Sequence, residues 1–263
     1  MNLTGQHVVV TGGSKGLGRA MVEALVARGA RVTAIARDAA ALDSATNAGA
    51  VTVAGDATDA DLMNRIVADT APDVLILNAG ARLTLASIDE HTWESFSAQW
   101  NTDVKAGLVG IQAALRTPMK PGGRVVIMSS GAAMVLGVPY IPPDSLRLSG
   151  GYIGAKRMVW FMAHSAGAVS RERGLGIRFQ VLVPLQLMPG TELGHQVASA
   201  YARIEGVTAE EHVVARYGSI LEPAEVGAQV ANLLGDPRHA TGVAYGVRAG
   251  ADLVPLDQPP DIR

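Results

Sequence analysis

Val8-Val9-Val10-Thr11-Gly12-Gly13-Ser14-Lys15-Gly16-Leu17-Gly18 runs from three β-branched residues into a glycine-rich turn. An amphipathic segment, residues 19–28, opens directly from that turn. Strand, glycine turn and helix in this order build a phosphate site for a dinucleotide. Three glycines have three jobs available. One turns the chain sharply, one lets the backbone approach a pyrophosphate, and one lets helix and strand pack closely. The helix N-terminus adds free N–H groups and a partial positive charge. The spacing Gly-x-x-x-Gly-x-Gly over Gly12, Gly16 and Gly18 is not the commoner Gly-x-Gly-x-x-Gly. A glycine turn alone is a weak signal, and its place between strand and helix gives it weight. On this reading Gly12, Ser14, Lys15, Gly16, Leu17 and Gly18 surround the cofactor phosphates.

The 263 residues suffice for one large α/β domain with a substantial core, so a single domain is expected over 1–263. A net charge of −2 offers no basic field to nucleic acid or an anionic membrane. Cysteine is absent, which excludes disulfide and thiolate chemistry and makes the cytoplasm the expected compartment. Residues 1–5 carry neither a basic nor an apolar segment, so no secretory leader is expected. The apolar runs are far shorter than a membrane-spanning helix.

Predicted strands at 7–11, 31–36, 51–54, 74–77, 124–128, 177–183 and 244–247 are nearly continuous apolar runs. Helices are predicted between them, at 19–28, after an Asp38 cap, from a Thr58/Asp61 start to about residue 70, at 98–115, at 151–171 and at 224–234. Gly29 ends the first helix and Pro72 the third. This alternation predicts a doubly wound α/β domain, with a parallel sheet of about seven strands and helices on both faces. Such sheets bind ligands beyond the carboxyl ends of their strands. Thr11 to Lys15, Arg37, Asp56, Asn78 and Ser130 all fall there. A helical stretch at 192–203 interrupts the alternation, and the segment 185–206 is expected to form a lid.

The end of the second strand selects the cofactor. An acid there accepts from a ribose 2′-hydroxyl, whereas an arginine accommodates a 2′-phosphate. Here the strand ends Ala36-Arg37, and Lys15 stands in the glycine turn, so NADP(H) is expected. Otherwise both cations are solvated surface charges. Asp38 offers an NAD-type acid but has sufficient employment as a helix cap.

Tyr152-Ile153-Gly154-Ala155-Lys156 places a phenol and an ammonium one helical turn apart on one face. A free phenol, with a reference pKa of about 10, is too weak an acid to exchange protons readily at neutral pH. A nearby lysine and a positively charged nicotinamide both favour the phenolate. Tuned in this way, a tyrosine can take a proton from an alcohol or give one to a developing alkoxide. Ser130 can donate to the same substrate oxygen.

The ordered set Thr11-Gly12-x-x-x-Gly16-x-Gly18, Asn78-Ala79-Gly80, Ser130 and Tyr152-x-x-x-Lys156 resembles the short-chain dehydrogenase/reductase family across essentially the whole chain. The resemblance implies a Rossmann-type fold and an NADP(H)-dependent reductase or dehydrogenase. Hydride would pass between the nicotinamide and the carbon of a carbonyl or secondary alcohol. It makes Tyr152 the acid/base and Ser130 the group that polarises the carbonyl. Lys156 would bind the nicotinamide ribose. Asn78, Ala79 and Gly80 would flank the adenosine ribose, Asp56 with Ala57 the adenine, and Thr191 the carboxamide. It also implies homodimers or homotetramers, in keeping with the apolar run Met158 to Met162 on the long helix.

Three departures stand out. The family's relay asparagine is replaced by Asp103, unless the helix is shifted and Asn101 fills the role. Extra residues at 138–149, with three prolines, form either a rigid wall presenting Tyr140 or a tolerated surface insertion. Pro184-Leu185 replaces a Pro-Gly, and the longer loop after it carries Leu187, Met188 and Leu193. With Met134, Leu136 and Tyr140 these suggest a hydrophobic ketone; alternatively they pack on the sheet edge. No histidine shows metal-ligand spacing, so no metal is expected, although His195 could reach the pocket from the lid. Glu210-Glu211 reads as a solvated helix face. Two competing readings keep the cofactor: a net non-redox epimerase, dehydratase or cyclase, and a non-catalytic NADP(H) sensor.

Overall fold

The computed structural model describes residues 2–134 and 148–256. The first half contains β1 (His7–Thr11), α1 (Gly16–Ala27), β2 (Arg31–Ala36), α2 (Asp43–Asn47), β3 (Val51–Ala54), α3 (Ala60–Thr70) and β4 (Val74–Leu77). Next come α4 (Trp93–Gln99), α5 (Lys105–Arg116), β5 (Arg124–Met128), α6 (Gly150–Glu172) and β6 (Arg178–Pro184). The chain continues through α7 (Glu192–Glu205), α8 (Ala209–Tyr217), α9 (Pro223–Gly235), β7 (Ala244–Val247) and β8 (Val254–Pro255).

The strands form one sheet in the order β3-β2-β1-β4-β5-β6-β7-β8. The pairs from β3 to β7 are all parallel, and β8 is antiparallel to β7. The seven expected parallel strands are therefore joined by an eighth, two residues long, too short to show a period. Strand order reverses between β1 and β4, which opens a crevice at their carboxyl ends.

Alternate strand residues feed two cores. Val8, Val10, Val32, Ala34, Ile76 and Val126 pack with Met21, Leu25, Val226 and Val230 of α1 and α9. Val9, Ile35, Leu75, Val125 and Ile127 pack with Met63, Ile66, Val109, Val159 and Ala163 of α3, α5 and α6. Each fully buried aliphatic side chain contributes about 1.5–3 kcal/mol relative to exposure, so both helical layers are held firmly.

Local structure refines several expectations. Asp38 does cap the turn that follows it, accepting from Ala40 N and Ala41 N. The cap of α3 is Asp59, not the expected Thr58/Asp61 arrangement; its carboxylate takes the N–H groups of Asp61 and Leu62. Thr58 instead gives its N–H to Asp56. The expected helix at 98–115 is α4 and α5 joined by one π-helical turn, Trp100–Val104. Glu210 and Glu211 lie in the first turn of α8, where Glu211 closes a capping box with Thr208. The residues Leu136 and Tyr140, and 138–147 of the inserted loop, lie outside the described residues. Ser149, at the loop's end, makes a parallel bridge with Ala86.

Candidate active site

The turn after β1 shows why glycines stand where they do. Gly12 and Gly16 have φ of +69° and +52°, a left-handed backbone that glycine tolerates without a Cβ clash. Gly18 has a different constraint, since a Cβ there would sit 1.9 Å from the Gly12 carbonyl oxygen. That contact brings the first turn of α1 against the end of β1. A Cβ on Gly16 would meet only Thr191, at 3.9 Å, so its backbone faces open space. The Gly16 backbone thus faces the cleft without a close neighbour.

Asn78 ties β4 to this turn. Its side-chain amide donates to Thr11 O (3.1 Å) and Gly12 O (3.3 Å). The Thr11 hydroxyl accepts from Asn78 N (2.9 Å) and Ala79 N (3.1 Å). Gly80 follows because a Cβ there would meet Asp103 Oδ2 at 3.0 Å.

Of the two candidates for the relay position, the structure brings Asp103 to the lysine. Lys156 Nζ lies 3.0 Å from Asp103 Oδ2 and 5.7 Å from the Tyr152 ring centroid, and donates to Met128 O (3.4 Å). Asp103 Oδ1 accepts from Ala81 N at 2.7 Å. Both charged side chains are buried. Burial by itself disfavours the ammonium, but the Asp103 carboxylate, the Tyr152 phenol and the hydrogen bond to Asp103 outweigh it and hold Lys156 above the ordinary lysine value. Beside the pair, on the sheet side, is a cavity of about 10 Å³ lined by Thr11, Asp103 and Lys156. That is the lower limit for a single water, and with side-chain exposures of 11% for Lys156 and 3% for Asp103 the pair is little screened. Asn101 is exposed and donates to Ser97 Oγ.

β5 supplies the serines. Ser129 Oγ donates to Lys156 O (2.8 Å), which docks α6 on the strand end. Ser130 is half-buried, and its hydroxyl accepts from Ala132 N at 3.2 Å. Ser130, Tyr152, Lys156, Asp103 and the whole glycine turn except Gly13 line one cavity of about 1690 Å³. A single small-ligand pocket spans roughly 300–1,000 Å³, so this cleft has room for two ligands end to end.

A family model described as short chain dehydrogenase matches residues 6–142. The chain belongs to the short chain dehydrogenase family. An L-xylulose reductase of Mesocricetus auratus is 34% identical over 137 residues, covering 51% of this chain and 56% of that one. The alignment thus spans about half the length of that relative. An L-fucose dehydrogenase of Rattus norvegicus is 26% identical over 257 residues, 95% of this chain and 90% of its own. A crystal structure of a short chain dehydrogenase from Burkholderia cenocepacia, in complex with NADP, superposes with a TM-score of 0.72 at 23% identity. It covers 94% of this chain and 97% of that one, and so shares the fold.

The other short-chain positions are distributed along the same cleft. Arg37, Asp56 and Ala57 line one end. Arg37 is exposed and has no hydrogen bond or ion pair among the described residues. The Thr58 N–H, 2.9 Å from Asp56 Oδ1, holds that carboxyl below the usual carboxylate range, with a smaller contribution from Arg37. Lys15 is engaged elsewhere: its ammonium meets Glu192 Oε2 of α7 at 2.5 Å, and Arg82 reaches the other oxygen at 3.2 Å. Thr191 is the N-cap of α7, its hydroxyl accepting from Gly194 N and donating to Met188 O.

Met134, Leu187, Met188 and Leu193 all line the cleft, and Leu187 and Leu193 also pack beside Tyr152. Sequence reasoning missed Leu83, Val197, Tyr201 and His212, which line the same cleft. The signal available was the i, i+4, i+8 stripe Leu193, Val197, Tyr201 on α7. His212 is buried, stacks on Tyr201 with ring centroids 5.9 Å apart, and meets Glu205 at 2.7 Å. No sequence pattern joins those three. His195 is exposed and contacts Ser199. Among the described residues no group of histidine and acidic side chains could hold a metal ion, and no helix is long and apolar enough to cross a membrane.

Proposed function

We propose that this chain is an NADP(H)-dependent carbonyl reductase or secondary-alcohol dehydrogenase, acting on a small molecule with an apolar body. The observation that carries the reading is Lys156, buried against Asp103 and poised over the Tyr152 ring in the cleft that the glycine turn opens.

The residues present fit the cofactor. The left-handed Gly12 and Gly16 and the α1 N-terminus beside them suit a pyrophosphate. Arg37, without a partner at the end of β2, suits a 2′-phosphate, and Asp56 and Ala57 border the adenine end. Asn78, Ala79 and Gly80 shape the wall beneath the ribose, and Thr191 stands at the carboxamide end. Ser14 and Leu17 complete the phosphate loop, while Lys156 meets the second ribose. When bound, the nicotinamide supplies or accepts the hydride.

The chain's own residues handle the oxygen. Ser130 and Tyr152 hydrogen-bond it, orienting the carbonyl and polarising it. Tyr152 gives its proton to the oxygen during reduction and takes it back during oxidation. Lys156 steadies the negative charge that Tyr152 then carries. Met134, Leu187, Met188 and Leu193 exclude water around the reacting carbon. The names of the two relatives, a reductase and a dehydrogenase, favour net redox turnover over an epimerase, dehydratase or cyclase.

The lack of cysteine accords with a cytoplasmic enzyme. Phe161 on α6 is 65% exposed and Leu108 on the adjoining α5 43% exposed, an apolar face suited to a second copy in a homodimer or homotetramer.

The test is Tyr152→Phe, assayed by NADPH absorbance against a panel of apolar ketones. Turnover should fall by about 10²–10⁴-fold, the usual contribution of an acid/base group, while NADPH binding persists. Retained turnover in that variant overturns the mechanism. Product formed without matching NADPH consumption would favour the non-redox reading, and no turnover of any ketone or alcohol by the wild type the sensor.

A further inference from the structure

Lys156 does not stand alone in its cleft, and that changes what it does to Tyr152. We propose that Asp103 is a positioning residue that offsets the Lys156 charge beside Tyr152 and so weakens the pull of that ammonium on the phenolic proton, favouring the carbonyl-reducing direction. The inference rests on the reading of Tyr152 as the acid/base.

A lone ammonium beside a phenol favours the phenolate. An ammonium 3.0 Å from a buried carboxylate is half of a neutral pair, and its field falls off much faster with distance. The pair is built in, not incidental. The π-helical turn Trp100–Val104 turns Asp103 inward, Ala81 N anchors one carboxylate oxygen, and Gly80 leaves space for the other. Both side chains are nearly buried, so the screening that would mute the effect at a surface is weak.

The charges on neighbouring elements do not replace this effect. Arg157, on α6 itself, donates to Ala133 O. Lys105 of α5 acts on Asp56. Glu94 of α4 is exposed. Arg82 and Lys15 are taken by Glu192 on α7, and His212 of α8 by Glu205. Tyr201, on α7, is the other phenol in the cluster around Tyr152. The groups that act on Lys156 are Asp103 and the Tyr152 phenol.

The balance of the reducing step then follows. The carbonyl carbon gains a hydride from the reduced nicotinamide. The carbonyl oxygen gains the Tyr152 proton, and the phenol is reprotonated from solvent.

Asp103→Asn tests this, because it removes the charge and nearly conserves the shape. Two readouts apply. In the first, ultraviolet titration of tyrosinate is run on Asp103→Asn and on wild type, each corrected by its Tyr152→Phe counterpart. The Tyr152 signal should appear about one pH unit lower in Asp103→Asn. In the second, the alkaline limb of the reduction rate profile should move down by the same amount, with NADPH affinity unchanged. A signal and a limb that stay in place, or move to higher pH, overturn the proposal. An active Tyr152→Phe enzyme would instead overturn the acid/base assignment, so the two failures are distinct.

Discussion

Arg37 shows how one residue sets the choice of cofactor. It follows β2 directly, and its guanidinium makes no hydrogen bond or ion pair among the described residues, acting on Asp56 only from a distance. A free guanidinium matches a phosphate monoester, whereas a carboxylate there would accept from a 2′-hydroxyl and repel the phosphate. Arg37→Asp should therefore weaken NADPH binding by at least tenfold and NADH binding little. Fluorescence titration of both cofactors checks this, and a wild type that prefers NADH refutes it. Lys15, in the glycine turn, lines the same cleft, and its ammonium also meets Glu192, 177 positions away. Spacing exposes a residue's chemistry, but its partner is chosen by long-range packing.

At the scale of elements, α7 lines one side of the cleft. Thr191 caps it, Leu193, Val197 and Tyr201 turn toward Tyr152, and Glu192 reaches back over the cleft to the glycine turn. Both partners in the Lys15–Glu192 pair are more than half exposed, so it adds little to stability. Because it links the glycine turn to α7, its expected effect is on the rates at which a ligand enters and leaves the cleft. Glu192→Gln should speed both binding and release of NADPH several-fold at low salt, with little change in Kd. The difference should vanish at high salt, where the pair is screened anyway. Stopped-flow fluorescence measures both rates, and equal rates in the two proteins at low salt would rule out the clasp. The sequence shows α7 clearly, as an interruption of the strand–helix alternation. It does not show that α7 leans over the glycine turn, since no local pattern encodes that approach.

Across the whole molecule the two edges of the sheet do different work. The carboxyl edge holds the cleft. At the opposite edge, buried His7 contacts Thr70 O and Thr33 Oγ1. Burial first, and then the cations Arg31 and Lys120, hold His7 below the ordinary histidine value, outweighing Thr70 O and Asp73. The unfolded chain therefore binds this proton more readily than the folded one. Stability is full above about pH 6.5, the unfolded value, and declines as pH falls through it toward the lowered folded value. Asp73 acts in a separate, lower window. Burial opposes its charge, but Lys120 and the His7 N–H outweigh that and keep its carboxyl below the usual range. Its contribution is present above about pH 4 and lost as pH drops through the folded value. Urea denaturation between about pH 7.5 and about pH 5 should show the histidine loss, and His7→Gln should flatten it. An unchanged slope in His7→Gln would exclude His7 as its source.

The amino-acid sequence by itself determined the doubly wound domain, the glycine turn and the Tyr152/Lys156 pair. These features repeat over a few residues, and the backbone's own periods place them on strand, turn or helix face. Only the tertiary structure brought Asp103, and not Asn101, to Lys156. Two residues apart on a helix fall on nearly opposite faces, and the π-helical turn shifts the phase by an amount that no spacing reveals. It likewise decided that Lys156 is half of a buried ion pair, and that Glu192 and His212 border the cleft. Such neighbours come from different elements, so their meeting depends on how whole helices pack on the sheet.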